Sequence, residues 1–220
     1  MIQINHIVFK IVALMLLSLF TSNANAQNFD INSLRDINLK RDKSLDPTFK
    51  LFTNSVAPIS IAAPVVIYSI GCLNKDVDLK KKGIYIGETF LVNAFVTTAI
   101  KYSVKRDRPY VTYPEIDKQT SGGSGSFPSG HTSDAFATAT SLSIAFPKWY
   151  VIAPSFMWAG AVGYSRMDLG VHYPTDVLAG AIIGSGSAYF CYKLNHWMNK
   201  KSNKSIFFEG NKKSEITKSK

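Results

Sequence analysis

The sequence predicts an all-α fold. Long apolar segments alternate with short polar breaks, prolines mark several boundaries, and no stretch shows the period-two alternation of a half-buried strand. The last apolar segment is rich in glycine and alanine, which let helices approach closely. At 220 residues the chain is long enough for one domain with a sizeable core.

The elements follow in order. Lys10 precedes the apolar run Ile11 to Phe20, and Ala24-Asn25-Ala26 places small residues at a cleavage position. Residues 1–26 therefore read as an export signal, and the mature chain begins near Gln27 on the outer side of a membrane. The alternative is an uncleaved first membrane helix, for which the run is short. Residues 28–54 mix polar side chains with Leu34, Ile37, Leu45, Phe49 and Phe52, a pattern of amphipathic or interfacial helical pieces broken at Pro47. Val56 to Leu73 is apolar, interrupted by Pro58 and Pro64. A polar link, Asn74 to Gly83, precedes a second apolar segment, Ile84 to Ile100, which carries Glu88 and Asn93. Residues 110–127 form a loop, because Thr120-Ser-Gly-Gly-Ser-Gly-Ser126 holds too many glycines for regular structure. Helix resumes over Ala135 to Phe146, stops at Pro147, and returns over Tyr150 to Tyr164 and Val177 to Leu194. Residues 27–197 form the domain, and residues 198–220 a basic tail without fixed structure.

The net charge of +10 fits nucleic acid or an anionic membrane, but much of it sits in the tail after Trp197 and in Lys80-Lys81-Lys82. That distribution reads first as solvated charge and second as membrane-surface contact. No nucleic-acid motif accompanies it. Cys72 and Cys191 lie far from the motifs below and read as packed thiols. No Cys/His cluster has metal-ligand spacing, so neither a metal site nor a cofactor is expected.

Mean hydropathy is +0.03, low for a multipass protein, but the polar ends dilute it. Several apolar segments run to only about fifteen residues against the ~20 of a full span. Alternating segments put Lys101, His131, Arg166 and His172 at one end, together with the exported residues 27–54. Lys75, Lys80, Lys81, Lys82, Lys148 and the tail fall at the other; residues 28–54 also carry several cations, so the positive-inside bias is modest. The bundle thus reads as an inner-membrane protein with an outward-facing site, in preference to a soluble exported bundle.

Three short motifs carry the chemistry. The first runs from Lys101 to Arg108-Pro109, the second is Pro128-Ser129-Gly130-His131, and the third is Ser165-Arg166 followed by His172 and Asp176. Lys101 and Arg108 are seven apart, nearly one helical face, and Pro109 biases Arg108 out of helical geometry. Ser129-Gly130 opens a helix whose first-turn N–H groups face an anion. Asp176, four residues after His172 with Pro174 between them, is placed to accept from Nδ1 and leave Nε2 as a nucleophile. Arg166 suits bidentate contact with phosphate oxygens. Lys105 and Arg106 read as surface charges, Tyr173 as packing, and Asp168 as a partner for a cation. Each motif alone is explained by helix capping or snorkelling; the set together is what a phosphate ester needs.

The pattern Lys, six residues, Arg-Pro; Pro-Ser-Gly-His; Ser-Arg, five residues, His, three residues, Asp resembles the phosphatidic acid phosphatase type 2 superfamily. That superfamily includes lipid phosphatases, bacterial class A acid phosphatases and vanadium haloperoxidases. The match is complete from Lys101 to Asp176, and the resemblance extends over about residues 30 to 195. Gly170 to Gly180 is similar to the membrane-bound branch, whereas the signal-like N-terminus is more like the soluble one. The resemblance implies a membrane-embedded helical bundle in which His172 attacks phosphorus, Asp176 orients it and His131 protonates the leaving group. It further implies that Lys101, Arg108, Ser129, Gly130 and Arg166 bind the phosphoryl oxygens without a metal. The substrate expected is a phosphorylated lipid or a small phosphate ester. The alternatives are a soluble periplasmic acid phosphatase of broad specificity, a vanadate-dependent haloperoxidase, and a headgroup-binding scaffold, which would not need both histidines.

Overall fold

The computed structural model describes residues 23–201, with side chains placed for 28–198. The apolar run Ile11 to Phe20 and almost all of the basic tail lie outside the described residues. Those described form helices α1 (Asn23–Asn38), α2 (Asp46–Asn54), α3 (Val56–Leu73), α4 (Val77–Val104), α5 (Pro109–Thr112), α6 (Gly130–Ala145), α7 (Trp149–Asp168) and α8 (Pro174–Lys201), with a 3-10 turn at Lys43–Leu45. No strand occurs among them, so the fold is all-α.

Local chemistry explains most boundaries. Pro47 lies in the first turn of α2, where its missing N–H is harmless, so it starts that helix instead of breaking one. The link after α3 is shorter than the sequence suggests. The carboxylate of Asp76 accepts from Leu79 N at 3.0 Å and caps α4, so residues 77–83 join that helix. An Asp78–Lys82 pair at 2.8 Å, four residues apart, supports the same turn. Pro64 and Pro154 are accommodated inside α3 and α7. Gly170 must be glycine: its φ is +73°, and a Cβ there would sit 2.5 Å from the Asp117 carbonyl oxygen.

α3, α6 and α8 run away from the motif end of the bundle, and α4 and α7 return to it. α6 and α8 pack closely through glycines, since a Cβ at Gly184 would lie 2.1 Å from Ser133 O and one at Gly180 2.6 Å from Ser129 O. Among the described residues three segments are long and apolar enough to cross a membrane: Lys43–Leu73, Val77–Thr112 and Pro174–Met198. Their outward faces carry Ile61, Val65, Leu91, Phe95, Leu178 and Ile182, all exposed. A contiguous apolar surface of that extent is covered by lipid in a membrane protein. Several polar residues in these helices turn inward and pair. Asn93 donates to Asp134 (2.7 Å) and accepts from Ser133 (2.6 Å), and Asn195 donates to Glu88 (2.8 Å).

The N-terminal stretch caps the motif end. Asn38 donates to the carbonyls of Asp117 and Asp168 and accepts from Asp117 N. The buried guanidinium of Arg41 bridges Asp46 (3.0 Å) and Asp117 (2.6 Å).

Candidate active site

The three motifs meet at this capped end. α4 stops at Val104 because Lys105 adopts a left-handed conformation, φ 50°. Lys101 and Arg108 therefore do not share one helix face. Lys101 projects from the last turn of α4, whereas Arg108 arrives on an extended segment (φ −76°, ψ 152°) that its following proline favours. Lys101 Nζ donates to the carbonyls of Gly125 and Pro128, both at 2.8 Å. Arg108 Nε donates to Ser124 O at 2.8 Å and its Nη1 to Val171 O at 2.9 Å. The Gly-Ser loop predicted between 110 and 127 thus lines the pocket with its backbone, and Gly122 lies flat on the Arg108 guanidinium.

Arg166, in the last turn of α7, donates to Thr53 Oγ1 and to Ser121 O, while its buried Nε has no partner. A buried N–H without an acceptor is a donor held ready for one. Ser129 is the N-cap of α6, but its hydroxyl bonds to Thr132 Oγ1 at 2.8 Å and caps no backbone N–H. A Cβ at Gly130 would meet open space, so this glycine leaves room where the first turn of α6 faces the pocket.

His172 is buried between α7 and α8. Arg108 Nη1 lies 3.3 Å from its Nε2. Arginine only donates, so this contact selects the tautomer with its lone pair on Nε2 and its proton on Nδ1. Nδ1 faces Asp176 Oδ2 at 3.4 Å, a long contact short of a formed hydrogen bond. Burial lowers the pKa of His172 to about 4, with Asp176 opposing and Arg108 and Arg166 reinforcing the shift. His131, in the first turn of α6, is lowered to about 3 by burial and then by Arg166, His172, Arg108 and Lys101. Both imidazoles are therefore neutral at neutral pH.

Asp176 is fully buried and accepts from Tyr173 N (2.9 Å), Ser126 Oγ and Arg106 Nη1 (2.7 Å). Arg106 corrects the sequence reading: it is no surface charge but a link between Asp176 and Asp30 of α1. Lys105 is exposed, as expected. The carboxylate Oδ2 of Asp168 is buried without a partner, so the expected cation pairing is not formed. Sequence reasoning missed Arg106, Asp30, Thr53 and Ser126. Only Arg106 carried a signal, its place two residues before Arg108.

The fold is that of an all-helical membrane protein in which two histidines, His131 and His172, lie close to Lys101, Arg108 and Arg166 at one end of the bundle. Residues 82–200 match the PAP2 superfamily, the phosphatidic acid phosphatase type 2 group, and the chain belongs to that family. It is 39% identical over 75 residues to a lipid A 4'-phosphatase of Bacteroides thetaiotaomicron, covering 34% of this chain and 33% of the relative. It is 32% identical over 119 residues to an undecaprenyl-diphosphatase of Sulfolobus acidocaldarius, covering 52% of this chain and 56% of the relative. The chain thus spans between a third and about half of these relatives. The crystal structure of a transmembrane PAP2-type phosphatidylglycerolphosphate phosphatase from Bacillus subtilis shares the fold. Its TM-score is 0.69 at 23% identity, over 87% of this chain and 96% of that one.

Proposed function

We propose that this chain is a metal-independent phosphatase that hydrolyses lipid-borne phosphate or diphosphate monoesters through a phosphohistidine, with its site facing the periplasm. One observation carries the reading. His172 presents an unprotonated Nε2 to a pocket whose cations, Lys101, Arg108 and Arg166, are otherwise held by uncharged oxygens.

In the first step Nε2 of His172 bonds to phosphorus as the ester P–O bond breaks, and His131 gives a proton to the departing oxygen. Asp176 stabilises the positive charge that develops on His172. In the second step His131 takes a proton from water as its oxygen attacks phosphorus, the P–N bond breaks and phosphate leaves. Lys101, Arg108, Arg166 and the N–H groups after Ser129 and Gly130 stabilise the negative equatorial oxygens. Because burial and the neighbouring cations keep His131 neutral, the proton it passes on enters with the monoanionic substrate, whose charge then favours an imidazolium beside it.

Lipid-borne substrates are supported by the exposed apolar faces of α3, α4 and α8 and by the names of the relatives. The outward orientation is supported by the shared end of the motifs and residues 28–54, and by a modest excess of cations at the opposite end once the lysine-rich tail is counted there. In this reading Lys101, Arg108 and Arg166 supply the positive charge that a metal would otherwise bring to the phosphoryl oxygens. The test is phosphate release by the purified protein in detergent from phosphatidic acid, undecaprenyl diphosphate, lipid A and p-nitrophenyl phosphate, with and without a chelator. Release from a lipid, unchanged by chelator, is expected. Loss in chelator restored by a divalent metal contradicts the mechanism, and release from the soluble ester alone contradicts the substrate class.

A further inference from the structure

We propose that Arg106 and Asp30 form a charge divider behind Asp176, which makes Arg106 a positioning residue for His172 and α1 an integral part of the site. The kinetic readout below rests on the phosphatase reading; the titration readout does not.

The geometry is specific. Arg106 Nη1 donates to Asp176 Oδ1 at 2.7 Å and to Thr175 Oγ1 at 2.8 Å, and its Nη2 donates to Asp30 Oδ2 at 2.7 Å. Its guanidinium stacks 3.9 Å above the Tyr173 ring, which fixes the plane of the fork. Asp30, buried on α1, also accepts from Thr175 N at 3.0 Å and from the Thr175 hydroxyl. One cation is thus shared by two buried carboxylates. Only one of them, Asp176, reaches His172.

The consequence follows from electrostatics. How strongly Asp176 holds a proton on His172 depends on how far its own charge is already compensated. Arg106 compensates it; Asp30 draws Arg106 away. The other charged and titratable groups facing His172 are Arg108 beyond α4, Arg166 from α7 and His131 from α6, with Lys101 of α4 near His131. Among the described residues Asp176 is the only carboxylate within ion-pair distance of His172. Ser126 and the Tyr173 N–H also donate to Asp176, but they are neutral, so among the described residues the divider is where a change of formal charge behind Asp176 reaches His172. On its outer side Arg106 borders a cleft of about 220 Å³ with Asp107, Thr112 and Tyr113, so a substituted side chain there has room beside it.

The test compares Arg106→Gln, Arg106→Lys and Asp30→Asn in the full chain in detergent. His172 is titrated by NMR of the ¹⁵N-labelled ring, and the acid limb of kcat/KM is followed with p-nitrophenyl phosphate. Arg106→Gln raises the His172 midpoint by about one pH unit. Asp30→Asn lowers it, and Arg106→Lys stays close to wild type. A purely structural role would lower activity in all three without opposite shifts. If Arg106→Gln does not fold, a lowered midpoint in Asp30→Asn beside an unchanged one in Arg106→Lys still supports the divider. Shifts in the same direction, or none in Asp30→Asn, overturn it. Opposite shifts in a wild type and variants that hydrolyse nothing would sink the phosphatase reading and leave the divider standing.

Discussion

In front of His172, Lys101, Arg108 and Arg166 donate to backbone carbonyls and a threonine hydroxyl. Behind it Arg106, and further out Arg41, are bound to carboxylates. The residue types are the same and the partners are opposite. Neutral acceptors fix the geometry of the front cations without cancelling their charge, so the pocket remains positive and an anion completes it. Carboxylates cancel the charge of the rear cations and turn them into joints between α1, α8 and the 113–119 segment. Arginine therefore serves as ligand holder on one side and as framework on the other.

The sharpest break of this comparison is at its centre. His172→Ala is expected to lose at least about 10⁴-fold in kcat while keeping its helical circular dichroism, since the nucleophile goes and the framework stays. His131→Ala should lose about 10²–10⁴-fold, and least on p-nitrophenyl phosphate, whose leaving group needs little protonation. Equal losses on good and poor leaving groups would remove His131 from that role. Arg108→Gln should cost about 10²–10³-fold in kcat with an unchanged unfolding midpoint. Arg41→Gln should do the reverse: it costs about 2 kcal/mol of stability and leaves kcat/KM close to wild type. Thermal unfolding measured beside the kinetics separates the two, and a swapped pattern would erase the distinction between front and rear. The smallest effect is in pH. His172 must be neutral, so kcat/KM falls as pH drops towards about 4. The transferred proton is lost as the ester passes its second ionisation, so the rate also falls above about pH 6. A profile flat across that range contradicts two-histidine chemistry.

Much of this was legible in the sequence. The all-α class followed from apolar segments and proline breaks, and the small residues of the last segment, Gly180 and Gly184 among them, marked a close helix contact without naming its partner, α6. The front of the site was legible because its residues lie in short motifs with fixed spacing. The rear was not. Asp30 and Arg106 are 76 residues apart, and nothing local in an amphipathic N-terminal helix marks one aspartate as the partner of a distant arginine. The backbone carbonyls of residues 121–128 were invisible for a different reason, since every residue has one. The start of α4 was misplaced because Lys80-Lys81-Lys82 looks like a link, whereas the Asp76 cap lets those lysines ride on a helix.

The central claim is that Nε2 of His172 takes the phosphoryl group. Rapid acid-free quenching of turnover with a ³²P-labelled substrate tests it most directly. Wild type is expected to carry a label that is stable in alkali, labile in acid and mapped to the peptide containing His172, and His172→Ala to carry none. A label that persists in His172→Ala, or one that maps to any other residue, contradicts the account.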